Sequence, residues 1–156
     1  MPIFPPLTPE DCEAVRGLLP YTALALIAEI GAVATCALIN ERPGVTLVVP
    51  RHPDANPLGA RKWAELAELL GEGEMAALAA RRGGEALQVP LCRAARAELR
   101  ARAIRAAYDR LTGVERLSGR QAIYEIGLRF APITSRAIEM ICTRPDDNRP
   151  VQAGLF

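Results

Sequence analysis

The sequence predicts a mainly α fold: a helical association domain with two short β-strands, followed by a C-terminal helix-turn-helix. Three observations carry this expectation. First, the stretch from Leu26 to Pro50 repeats at an offset of forty residues, with nine identities in twenty-five positions and no gap. Leu26, Gly31, Ala37, Leu38, Arg42, Gly44, Leu47, Val49 and Pro50 meet Leu66, Gly71, Ala77, Leu78, Arg82, Gly84, Leu87, Val89 and Pro90. A self-match at fixed period is the mark of one supersecondary unit used twice. Second, half the residues are hydrophobic but only 4% are aromatic, so the core is built from Ala, Leu, Ile and Val, which suits close-packed helices. Third, residues 121–143 read as helix, tight turn and helix.

Taken in order, the chain opens with a proline-rich arm from Met1 to Leu7. Thr8-Pro9-Glu10-Asp11 is a helix start: Thr8 caps, Pro9 suits the first helical position and Asp11 sits three residues after the cap. The helix carries Cys12, Val15 and Leu19 inward and stops near Pro20. Tyr21 to Ile39 is the helix of the first copy and is apolar on nearly all sides, which marks a buried or interfacial helix. Glu29 in mid-run and the many small residues argue against a membrane span. Val45 to Val49 is a β-branched strand stopped by Pro50, and Arg51 to Gly59 is a linker. Ala60 to Ala80 is the helical run of the second copy, bent around Gly71 to Gly73. Arg82-Gly83-Gly84 ends it, and Glu85 to Val89 is the second strand. Two isolated strands need partners for their backbone groups, either each other or a second chain.

Arg93 to Leu111 is a helix rich in Ala, Arg and Leu. Leu99, Ala103, Ile104, Ala107, Tyr108 and Leu111 fall on its inner arc, and Arg93, Arg96 and Arg100 stack along its first half. After a loop from Val114 to Arg120, Gln121 to Phe130 forms a short helix with Ile123, Ile126, Gly127 and Phe130 inward. Ala131-Pro132-Ile133 turns, and Thr134 caps a last helix with Ala137, Ile138 and Ile141 inward. The organisation expected is therefore an arm and short helix over 1–20, a tandem helix–strand repeat over 21–92, an Arg-rich helix plus helix-turn-helix over 93–144, and a tail over 145–156.

Charge divides the chain. Up to Cys92 there are seven basic and eleven acidic residues, a net of −4; from Arg93 onward there are twelve and seven, a net of +5. A basic second half suits an anionic partner such as nucleic acid. Catalysis finds little support. The one histidine, His52, lies in the linker, no cysteine has a base close in sequence, and Gly83-Gly84 follows a helix and precedes a strand, the wrong order for nucleotide binding. Cys12, Cys36, Cys92 and Cys142 are widely spaced, so neither a metal site nor a cofactor is expected, and no secretory leader opens the chain, which implies a cytoplasmic protein.

The run Arg82-Gly83-Gly84, Leu87 to Pro90, an Arg-rich helix ending Ile104-Arg105-Ala106-Ala107-Tyr108-Asp109, then Ile123 to Ile141 resembles the Mor/C family of phage transcription activators. Order, spacing and residue types match from about Leu66 to Arg144. The resemblance implies a DNA-binding regulator of phage or prophage origin that acts on double-stranded DNA as a dimer and recruits RNA polymerase. It places the base-reading surface at Thr134, Ser135, Arg136 and Glu139, with Arg116, Arg120, Arg129 and Arg144 as phosphate contacts and Arg93, Arg96 and Arg100 as weaker ones. In the family each subunit gives one helix–strand unit to the dimer. This chain carries two, so either a homodimer or an intrachain pseudo-dimer is expected. The alternative is a protein–protein adaptor on the same scaffold without DNA binding.

Overall fold

The forty-residue echo in the sequence becomes two copies of one backbone path. The computed structural model describes residues 4–54 and 56–151. The first copy is helix α2 (Tyr21–Ile30), helix α3 (Ala32–Glu41) and strand β1 (Thr46–Val48). The second is α4 (Pro57–Leu70), α5 (Glu72–Arg82) and β2 (Ala86–Gln88). Each helix pair is broken at the same place, by Gly31 at φ +86°, ψ 162° and by Gly71 at φ +106°, ψ 150°. This corrects the expectation of one unbroken helix from Tyr21 to Ile39: backbone in that region is essentially reserved for glycine. The second run also starts earlier than Ala60, because Asn56 Oδ1 accepts from Gly59 N at 2.7 Å and Pro57 takes the first helical position.

The two strands pair with each other, antiparallel, with Leu47 opposite Leu87, Thr46 opposite Gln88 and Val48 opposite Ala86. The flanking hydrogen bonds come in pairs related by the same offset of forty. Gly44 N donates to Val89 O at 3.0 Å and Gly84 N to Val49 O at 2.7 Å; Val89 N donates to Val45 O at 2.8 Å and Val49 N to Glu85 O at 2.9 Å. Helix α2 packs on α5 and α3 on α4, the exchange that a local two-fold relation requires. The intrachain pairing is thus the arrangement observed, and it satisfies the ladder within one chain.

The core of this unit is the repeat read twice. Leu26 and Leu66, Ile30 and Leu70, Leu38 and Leu78, and Val49 and Val89 are all buried at matching positions. Thr35 and Met75 also match and both are fully buried. The first copy has an added cover. Helix α1 (Pro9–Ala14) starts at a capping box in which Thr8 Oγ1 accepts from Asp11 N at 3.1 Å. It gives way to a 3-10 turn at Arg16–Leu18 before Pro20. It packs on α3, with Cys12 Sγ 3.4 Å from Cys36 Sγ, and Asn40 exchanges two hydrogen bonds of 2.8 Å with the backbone of Leu7. That extra contact is why the first run is apolar nearly all round. Part of the N-terminal arm, residues 1–3, lies outside the described residues.

The chain divides into two units, one made of the residues up to Ala95 together with those from Pro150, and the other spanning Arg96–Arg149. The second holds the rest of α6 (Arg93–Gly113), α7 (Gly119–Arg129) and α8 (Ser135–Cys142). Ile104, Ala107, Leu111, Ala122, Ile126 and Ile138 form its core. The inner arc of α6 is turned slightly from that expected: Ala103 is exposed and Leu99 half-buried, while Ala101 is buried. Residues 145–149, expected as tail, are tied to α6. Asp147 N donates to Glu98 Oε1 at 2.8 Å, and Asp146 pairs with Arg105 at 2.8 Å. Residues 152–156 of that tail fall outside the described residues.

Candidate nucleic-acid interface

Apart from Arg96, the arginines of the second unit separate into two groups. One group is used by the fold. Arg102 and Arg105 both reach Glu98 Oε1, at 3.1 and 2.8 Å, and Arg102 Nη2 also donates to Asn148 Oδ1 at 2.8 Å. Arg149 pairs with Asp147 at 2.8 Å, and its guanidinium holds that carboxyl below the usual carboxylate range. Arg110 lies 3.9 Å from Glu115. Arg100 Nη2 donates to Phe130 O at 2.6 Å and to Pro132 O at 3.3 Å, so it clamps the turn between α7 and α8. Arg100 was expected as a weak phosphate contact; its Nη2 is engaged by these backbone carbonyls, and the residue is exposed.

The other group is Arg116, Arg120, Arg129, Arg136 and Arg144. All five are exposed, and none has an ion pair among the described residues. They are the five arginines that the resemblance put first as DNA contacts, ahead of the weaker candidates Arg93, Arg96 and Arg100. Arg120 stands in the first turn of α7, whose start is fixed by Ser118 Oγ accepting from Gln121 N at 3.2 Å. Arg129 ends α7 with its guanidinium 5.5 Å from the Phe130 ring centre. Arg116 holds a left-handed turn at φ +55° between α6 and α7. Arg93 is exposed at the start of α6, and Arg96 is half-buried.

Helix α8 is positioned by one cap and one anchor. Thr134 Oγ1 accepts from Ala137 N at 3.1 Å, and Ile138 is fully buried against α7 and α6 residues. With Ile138 inward, Ser135, Arg136 and Glu139 are exposed. Thr134 is exposed too, and while its oxygen accepts the cap bond its O–H can still donate. Ile141 and Cys142 complete the inner side, and burial pushes the Cys142 thiol up.

Searches against protein families, curated proteins and solved structures find no match for this chain.

Sequence reasoning passed over two features of this surface. Met140 and Thr143 follow Arg136 at i+4 and i+7 and are exposed on the same side of α8, so helical spacing alone could have found them. Tyr124 and Leu128, one turn apart on α7, are 65% and 62% exposed, and Met140 is 54% exposed. Leu117, Arg120, Gln121, Tyr124 and Glu125 line an open cleft on this helix. Among the described residues there is no cluster of side chains suited to a metal ion, and no helix is long and apolar enough to cross a membrane.

Proposed function

We propose that this chain is a sequence-specific DNA-binding transcription regulator of phage or prophage origin, resembling the Mor type. The observation that carries the reading is the division of arginines in the second unit. Five exposed guanidinium groups without carboxylate partners among the described residues lie on or beside two short helices joined by five residues. Arg116, Arg120, Arg129 and Arg144 dock on phosphates, which sets register and orientation. The start of α8 then reads bases in the major groove. Arg136 donates two parallel hydrogen bonds to guanine, Glu139 accepts from cytosine, and Ser135 bonds either base or phosphate. Thr134 serves chiefly by fixing the helix start. RNA polymerase is the partner to which such a regulator answers.

The strand pairing within one chain supports a further part of this reading. The first unit stands in for the core of a dimer, and each chain brings a single DNA-reading head. Sedimentation at low concentration should then give a monomer; a tight dimer would leave the symmetric pairing without this role.

The main test is selection of duplex fragments from a genomic pool, followed by affinity measurements at two salt concentrations. Four phosphate contacts give a slope of log K on log salt near −3.6, or a loss of roughly a hundredfold between 50 and 200 mM. Arg136→Ala should relax specificity at one base by about 1–3 kcal/mol, whereas Arg129→Ala weakens all sequences alike. Failure to retain any duplex sinks the proposal. It would favour an adaptor on the same scaffold, a reading to which exposed Tyr124, Leu128 and Met140 lend weight.

A further inference from the structure

The two copies of the helix–strand unit differ sharply at one socket. Gly44 and Gly84 are equivalent, at φ +74° and +83°. A Cβ on Gly44 would stand 3.2 Å from Leu91 Cδ2, and a Cβ on Gly84 would collide with the guanidinium of Arg51. Arg51 and Leu91 are themselves equivalent at the offset of forty. The same backbone socket therefore holds a leucine in one place and an arginine in the other. The leucine demonstrates that the fold does not require a cation there.

Arg51 opens onto a cleft of about 300 Å³. His52 and Lys62 line it with Arg51, Val48 and Leu58 supply apolar wall, and no Asp or Glu lines it among the described residues. Neither Arg51 nor Lys62 has an ion pair among the described residues, a condition they share with Arg81 and Arg93 of the same unit; what sets Arg51 and Lys62 apart is that both line one cleft. Two cations without ion pairs and an imidazole line one concavity that has no carboxylate in its lining, and a cleft lined by one sign of charge favours a ligand of the other. The volume is at the small end of ligand sites, and the apolar walls suit an organic body attached to the anion.

We propose that this cleft binds a small phosphate-bearing ligand of mononucleotide size. Arg51 and Lys62 hold the phosphate, His52 adds a ring N–H, and the ligand's apolar body lies against Val48 and Leu58. This inference is independent of DNA reading by α8.

The test is titration of the full chain with adenosine monophosphate, inorganic phosphate, adenosine and a short duplex. Adenosine monophosphate should bind saturably with Kd below about 1 mM, with phosphate competing and adenosine at least about tenfold weaker. Arg51→Leu installs the residue that the other copy carries at this socket, so it should fold with an unchanged melting temperature. Its affinity should fall by about tenfold, the loss expected for one charge-assisted hydrogen bond. Exposed Lys62→Ala gives the same reading if Arg51→Leu misfolds, and Arg136→Ala should leave this binding intact. The proposal is overturned by absence of saturable binding, or by binding that survives both variants. It is also overturned if Arg51→Leu weakens only the duplex, which would make the DNA backbone the source of the phosphate.

Discussion

The first and second copies of the helix–strand unit share a backbone path and differ in what covers them. Both break at a glycine, both send a strand to the shared ladder, and both bury leucines at matched positions. Around that common frame the chemistry diverges. The first copy lies under α1, so Cys36 is buried, while its counterpart Ala76 is exposed. Arg42 and Arg82 each reach a carboxylate on the first helix of the opposite copy, but with different grip. The lesson is that the duplication conserves what sets the backbone and the inner face. The outer face is free to specialise, and differences between equivalent residues are where specific roles should be sought.

If the inner face is truly shared, equivalent truncations should cost the same. Leu26→Ala and Leu66→Ala each remove a buried leucine side chain and should each destabilise the first unit by about 2–5 kcal/mol. Denaturant unfolding of both variants measures this. A loss confined to one copy would show that the other contributes only shape.

The glycine breaks test the backbone half of the comparison. Gly31→Ala and Gly71→Ala both force a side chain onto a φ, ψ region that glycine alone takes freely, at a cost of about 1–3 kcal/mol each. A Cβ at Gly31 meets nothing within 4 Å, whereas one at Gly71 displaces the Glu74 carboxylate. Since that carboxylate is exposed to rearrangement at the end of a flexible side chain, thermal unfolding should rank the two variants close together. A much larger loss at Gly71 would mean that Glu74 holds the break in place.

These breaks also show where sequence reasoning had reach. The alignment of Gly31 with Gly71 already contained the break in the first copy, since a bend inferred around one glycine applies to its equivalent. That the two short strands need partners was legible from their backbone groups, but the choice between each other and a second chain was not; it is fixed by the packing of the two copies. The α8 start was legible because Thr134 stands before an apolar-periodic run. What escaped was long-range and carbonyl-directed. Nothing in the spacing of Arg93, Arg96 and Arg100 says that Arg100 reaches Phe130 O, thirty residues away. Nor does local pattern reveal that Glu98 gathers Arg102, Arg105 and Asp147 N around one oxygen. Those contacts decide which arginines remain free, and they exist only once the helices are packed.

The ion pairs sharpen the comparison at smaller energy. Arg82 Nε and Nη2 donate to the two oxygens of Glu29 at 2.7 and 3.0 Å, and both side chains are largely buried. This carboxylate raises the arginine further above its ordinary range. Arg42 stands 3.7 Å from Glu65 with both partners more exposed. Arg82→Ala should cost about 1.5–3 kcal/mol, the worth of hydrogen bonds to a charged group, and Arg42→Ala about 0–1 kcal/mol. Double-mutant cycles with Glu29→Ala and Glu65→Ala isolate the two couplings. Equal couplings would mean that the difference in geometry has no energetic content.

The smallest effect at neutral pH comes from Cys36, and it grows only in alkali. Burial, with the neighbouring Cys12 thiol as a second cause, pushes Cys36 up from 9.0 to about 12. A thiol is neutral when protonated, so the folded state holds its proton more tightly than the unfolded chain does. The stability this provides is complete below pH 9 and is lost as pH rises from 9 toward 12. Cys36→Ala gives the first copy the residue that the second copy carries at this position. Other groups titrate in the same range, so the informative quantity is the difference in melting temperature between parent and variant as a function of pH. That difference should be flat below pH 9 and should then move steadily in favour of the variant. A constant difference across the alkaline range would show that α1 covers Cys36 too loosely to keep its thiolate out of water.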